Sequence, residues 1–96
     1  MDFEIHVFLA KGTAQFGNSF TEGERHALHI YVRQNKNAEY DGELAMEIAE
    51  RNYWTSIELF QVGRLSINAV MEKSEPWCLY ALEHGDAIVA YDKIET

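Results

Sequence analysis

The sequence predicts an α+β fold: a two-layer sandwich with a four-stranded mixed sheet and two main helices on one face. Three observations carry that prediction. Residues 3–10 and 26–33 alternate apolar and polar side chains with period two, the mark of strands. Residues 41–53 repeat their apolar side chains with period 3.6, the mark of an amphipathic helix. The predicted elements run β-β-α-β-(short α)-α-β, an order that a sheet with helices packed on it accommodates. At 96 residues the chain is a single domain, 1–96, with room for a modest core.

In the first strand, Phe3, Ile5, Val7 and Leu9 point one way and Glu4, His6, Phe8 and Ala10 the other. Residues 11–25 form a long glycine-rich connection, with a turn at Gly17-Asn18. They lack the closing Gly-Lys-Ser/Thr of a phosphate-binding loop. The second strand places Leu28, Ile30 and Val32 inward and Ala27, His29, Tyr31 and Arg33 outward. After the polar turn 34–37 comes the helix. Leu44, Ala45, Ile48 and Ala49 form its apolar stripe, and Asp41 is placed to cap its start. Thr55 to Leu65 reads as a third strand whose phase breaks, which predicts a bulge near Phe60-Gln61 or an edge position with Gly63. Ser66 opens a short helical turn. Ser74 is the expected N-cap of the last helix, with Glu75 and Pro76 in its first turn. Cys78, Ala81 and Leu82 form that helix's buried stripe, and Gly85 ends it. Residues 87–91 make the final strand. With both helices on one face, the other face is open, and Glu4, His6, Phe8, His29 and Tyr31 are expected there with Phe60 or Tyr91.

Charge is the informative part of the composition. Sixteen acids against eight bases give −8. Residues 38–54 hold five acids and Arg51, a net of −4. Residues 55–96 hold seven acids and three bases, another −4. Direct nucleic-acid binding is disfavoured, because phosphate contacts need Lys and Arg. An anionic membrane is disfavoured for the same reason. A basic partner gains a faster encounter. The N-terminal stretch lacks the basic start and apolar block of a signal peptide, and a single cysteine fits a reducing compartment, so a cytoplasmic protein is expected.

No constellation points to catalysis, a metal or a cofactor, and the expectation is a non-enzyme. The two rings of His26-x-x-His29 fall on opposite strand faces and cannot share an ion. His6 and His29 are possible cross-strand neighbours, but two histidines without a third ligand make a weak site. Cys78 lies on a buried stripe with no base placed beside it, as a structural thiol does. Glu43, Glu47 and Glu50 recur at i, i+4 and i+7, about 6 and 4.5 Å apart along the helix axis. Phosphates on one DNA strand advance about 3.4 Å along its axis, so this spacing can imitate part of a phosphate track. Glu58, Glu72, Glu75, Glu83 and Asp86 extend the track if they share its side.

On the acidic row Glu39, Asp41, Glu43, Glu47 and Glu50, within a short and strongly negative chain, the protein resembles the small acidic anti-defence proteins of phages. These are the anti-CRISPR and anti-restriction DNA mimics. The resemblance lies in size and charge. It implies a non-enzymatic inhibitor that occupies the nucleic-acid-binding surface of a basic protein or complex. Glu39, Asp41, Glu43, Glu47 and Glu50 would pair with its cations, and Tyr40, Tyr53 and Trp54 would serve as anchors. Bacterial immunity proteins that neutralise basic nuclease toxins are similar on the same grounds. A small enzyme or ligand-binding domain using the open sheet face is the third reading.

Overall fold

The computed structural model describes residues 2–95 of the chain. Four strands and three helices alternate as β1 (Phe3–Ala14), β2 (Arg25–Asn35), α1 (Gly42–Arg51), β3 (Trp54–Ser66), α2 (Ile67–Lys73), α3 (Pro76–His84) and β4 (Asp86–Ile94). The strands form one sheet in the order β3-β1-β2-β4. Every neighbouring pair is antiparallel, so the sheet is not mixed. The reason is topological. β2 and β3 run the same way, joined across α1, but β1 lies between them, and no parallel pair is hydrogen-bonded.

The helices do not share one face. Along β1, Phe8 and Ala10 pack with Leu28, Ile30 and Val32 of β2 and with Ala45, Ile48 and Ala49 of α1. Ile5 packs with Tyr31 and Ala87, and with Val70 of α2 and Cys78 and Ala81 of α3. Alternate strand residues point to opposite faces. α1 therefore covers one face, and α2 with α3 covers the other. The two-layer expectation is corrected to helices on both faces.

That arrangement also dismantles the expected open face. His6 pairs with Val32 and Val7 with Tyr31. Glu4, His6 and Phe8 therefore sit on the α1 side, while His29 and Tyr31 sit on the α3 side. His6 and His29 cannot be neighbours on one face. Glu4, His6, Phe8 and Tyr31 are all buried. The face on which a ligand-binding reading depended is closed at these residues.

Other local readings fare better. The Asp41 carboxylate caps α1 by accepting from the Leu44 N–H at 3.0 Å. Leu9 pairs with Gln61 and Ala10 with Leu59, which leaves Phe60 as the extra residue of a bulge, and β3 is an edge strand. Gly85 ends α3 at φ 106°, a left-handed conformation that favours glycine. Two boundaries shift. Ser74 closes α2, and Glu75 is the cap of α3, accepting from the Cys78 N–H at 2.8 Å. β1 runs on to Ala14, through what read as a glycine-rich loop. Gly12 is there for packing: a Cβ would come within 2.9 Å of Leu28 Cδ1 and 3.0 Å of Ile57 Cδ1.

Candidate functional site

α1 is held by its apolar stripe, and this fixes what it shows to solvent. Ala45, Ile48 and Ala49 are buried against the sheet. At about 100° per residue, Glu43, Glu47 and Glu50 fall within roughly 60° of one another on the opposite side. All three are exposed, as are Glu39 and Asp41 just before the helix. Among the described residues none of these five carboxylates enters an ion pair. Arg51, one turn after Glu47, reaches Asp86 Oδ2 at 3.8 Å instead. A row of uncompensated negative charge therefore lies over the sheet.

The row is not extended by the second half of the chain. Glu72, Glu75 and Glu83 belong to α2, α3 and the cap between them, beyond the opposite face of the sheet. Glu58 is paired with Arg25 at 3.2 Å, and Asp86 with Arg51. Glu72, Glu75 and Glu83 therefore lie on the other side of the molecule from the α1 row.

The three aromatic candidates separate. Tyr53 is 54% exposed beside the end of α1. Tyr40 is 41% exposed at its start. Trp54 is 3% exposed and belongs to the core, with its ring 5.7 Å from Phe20 and 5.8 Å from His26. It cannot serve as an interface anchor. As the first residue of β3 it falls on the inward side of the pleat.

The approach to α1 is braced by residues that sequence reasoning placed on an open face. Buried His6 donates from Nε2 to Glu4 Oε2 at 2.5 Å. The other Glu4 oxygen accepts from the Asn37 N–H at 3.1 Å. Arg64 Nη1 lies 3.1 Å from Glu4 Oε2, and its remaining N–H groups reach the Tyr40 hydroxyl and the Ala38 carbonyl. One carboxylate thus ties β1, β3 and the 36–40 turn together. The His6 bond, the Asn37 N–H and Arg64 hold its pKa below the usual carboxylate value against the opposing effect of burial. The sequence signal was Glu4-x-His6, two residues apart on one strand face.

On the other face His29 Nδ1 accepts from the Tyr91 hydroxyl at 2.9 Å, with the Tyr31 hydroxyl at 3.4 Å. Burial lowers the His29 pKa, and Glu75 opposes that shift. Burial also drives the Tyr31 phenol well above its ordinary range. Cys78, next in the same cluster, is pushed up to about 12, first by burial and then by its contact with Glu75. A buried thiol held in its protonated form is a poor nucleophile. A disulfide-exchange reagent at pH 8 will therefore label native Cys78 at least about a hundredfold more slowly than the urea-unfolded chain. Equal rates would show the thiol to be accessible.

His26 is buried between Phe20 and Trp54, with Nδ1 2.6 Å from the Tyr91 carbonyl and Nε2 3.2 Å from Glu24. Among the described residues no group of three His, Cys, Asp or Glu side chains is placed to hold a metal ion. Among them, too, no helix is long and apolar enough to cross a membrane. No family model matches the chain, and neither a curated protein nor a solved structure matches it.

Proposed function

We propose that this protein is a non-enzymatic inhibitor that binds the basic nucleic-acid-binding surface of a cytoplasmic protein or complex. α1 imitates a short stretch of phosphate track. The observation that supports the reading is the exposed row Glu43, Glu47 and Glu50, preceded by Glu39 and Asp41, with no cation among the described residues paired to it. A partner groove lined by Lys and Arg gains steering and pairing from it. Tyr40 and Tyr53, exposed at the two ends of the helix, supply the apolar contact. The mimic is one helix long, which limits the partner surface to a narrow groove or a single basic strip.

The test is capture of bacterial proteins on the tagged chain, nuclease-treated, at low and high salt, with and without competing DNA. A basic nucleic-acid-handling partner, released by salt and by DNA, is the expected result. Reversing Glu43, Glu47 and Glu50 together to Lys weakens its binding by at least about tenfold, since three exposed pairs at several tenths of a kcal/mol each are lost. The same change flattens the salt dependence. Unchanged affinity in the triple variant would sink the reading.

A further inference from the structure

We infer that the groove between the first turn of α1 and the outer strand β3 is a docking site for a basic protein segment that inserts one large apolar side chain. The inference rests on the carboxylate reading above and adds the place where the partner is anchored. The groove has a volume of about 290 Å³ and is lined by Phe8, Tyr40, Gly42, Leu59, Phe60 and Val62. Its volume is at the lower edge of the 300–1,000 Å³ typical of small-molecule sites and accommodates one large side chain. Phe8 is buried at its base, Leu59 and Val62 are half-buried, and Tyr40 is exposed at its rim.

The backbone explains why the groove is unfilled. Gly42, the first residue of α1, has no side chain to place there, and a Cβ would come within 3.2 Å of Leu59 Cδ1. Phe60 is the extra residue of the bulge and has no partner on β1. β3 is an edge strand, so its outer N–H and C=O groups are free to pair with an extended segment.

Charge selects the occupant. The nearby cation, Arg64, is already compensated by Glu4 at 3.1 Å. Glu39, Asp41 and Glu43, on either side of the groove residues Tyr40 and Gly42, are exposed and uncompensated. The local balance is negative over an apolar floor. This repels nucleic acid, acidic peptides and a second copy of a chain that is itself at −8. A cationic segment with an apolar anchor satisfies both features.

Two synthetic ten-residue Lys/Arg-rich peptides, one with a central Leu and one with Ser in its place, make the test, read by amide chemical shifts of the labelled protein. The Leu peptide binds about tenfold or more tightly, as burial of one aliphatic side chain requires. Its largest shifts fall at Tyr40 and Leu59–Val62. Leu59→Ser removes most of the preference, and so does Gly42→Leu, which fills the groove from the start of α1. Equal binding of the two peptides, with shifts confined to Glu43–Glu50, overturns the groove and leaves the carboxylate row standing. A Leu preference that survives charge reversal at Glu43, Glu47 and Glu50 supports the groove and counts against the row. No binding of either peptide overturns the groove.

Discussion

Trp54→Ala destabilises the protein by about 3–5 kcal/mol, the usual cost of removing a large aromatic side chain from a packed interior. Trp54 is 3% exposed and closes the end of the α1 cluster against Phe20, His26 and the small residues Gly12 and Ala14 of β1. Neither Gly12 nor Ala14 has the bulk to refill the space. At roughly 4–8 °C per kcal/mol in a domain of this size, the midpoint of thermal unfolding falls by more than about 10 °C. Tyr53→Ala, one residue earlier and 54% exposed, is the control and changes the midpoint far less. If Trp54 were an interface anchor, the two substitutions would behave alike in the isolated protein. Calorimetry of the two variants decides between these outcomes.

Glu4→Gln makes stability less dependent on pH in the acid range. The Glu4 carboxyl has a folded-state pKa below its ordinary value, first through the His6 bond, then through the Asn37 N–H and Arg64. In the unfolded chain it returns to that ordinary value, so the unfolded state binds more protons in the window between the two. Stability therefore rises with pH there. The contribution is complete above the ordinary carboxylate pKa and is lost as pH falls through the depressed one. Gln keeps the shape and cannot ionise, but only its carbonyl oxygen accepts, so its NH2 group is left facing either the Asn37 N–H or the His6 and Arg64 donors. The wild-type protein should exceed the variant clearly at pH 7, and the gap should close on acidification. Urea unfolding of both proteins across that range measures it. A gap independent of pH would mean that the charge on Glu4 contributes nothing and only its second acceptor oxygen matters.

What could be read from the sequence was local. The Asp41 cap, the bulge at Phe60 and the glycine stop at Gly85 each follow from one or two side chains and their immediate neighbours. The facing of one strand relative to another was not legible. The alternation in β1 says that Ile5 and His6 point apart. It does not say whether His6 shares a face with Val32 or with Tyr31. Register alone decides that, and register joins residues 26 positions apart. Because β1 and β2 are apolar on both sides, each could be read in either phase. The phase chosen put the Glu4–His6 pair on an open surface when it is buried. The carboxylate row was legible because helix periodicity is intrinsic to one segment. The groove beside it was not, because it requires β3 to pass next to Gly42.

The strand order has a consequence for how the molecule comes apart. The central hairpin of β1 and β2 is complete at residue 35, and each outer strand is bonded to a different member of it. Opening β4 breaks backbone bonds to β2 alone and exposes the cluster under α3. The contacts between β1, β3 and α1 survive that event, apart from the fringe at Ile88 and Ala90. Ile5 and Tyr31 of the hairpin lose cover in that event, while Phe8, Leu28 and Ile30 keep theirs. A chain still being synthesised can lay down the hairpin, α1 and β3 before its last thirty residues appear. The side that carries the carboxylates depends on β4 only through that fringe and the Arg51–Asp86 pair.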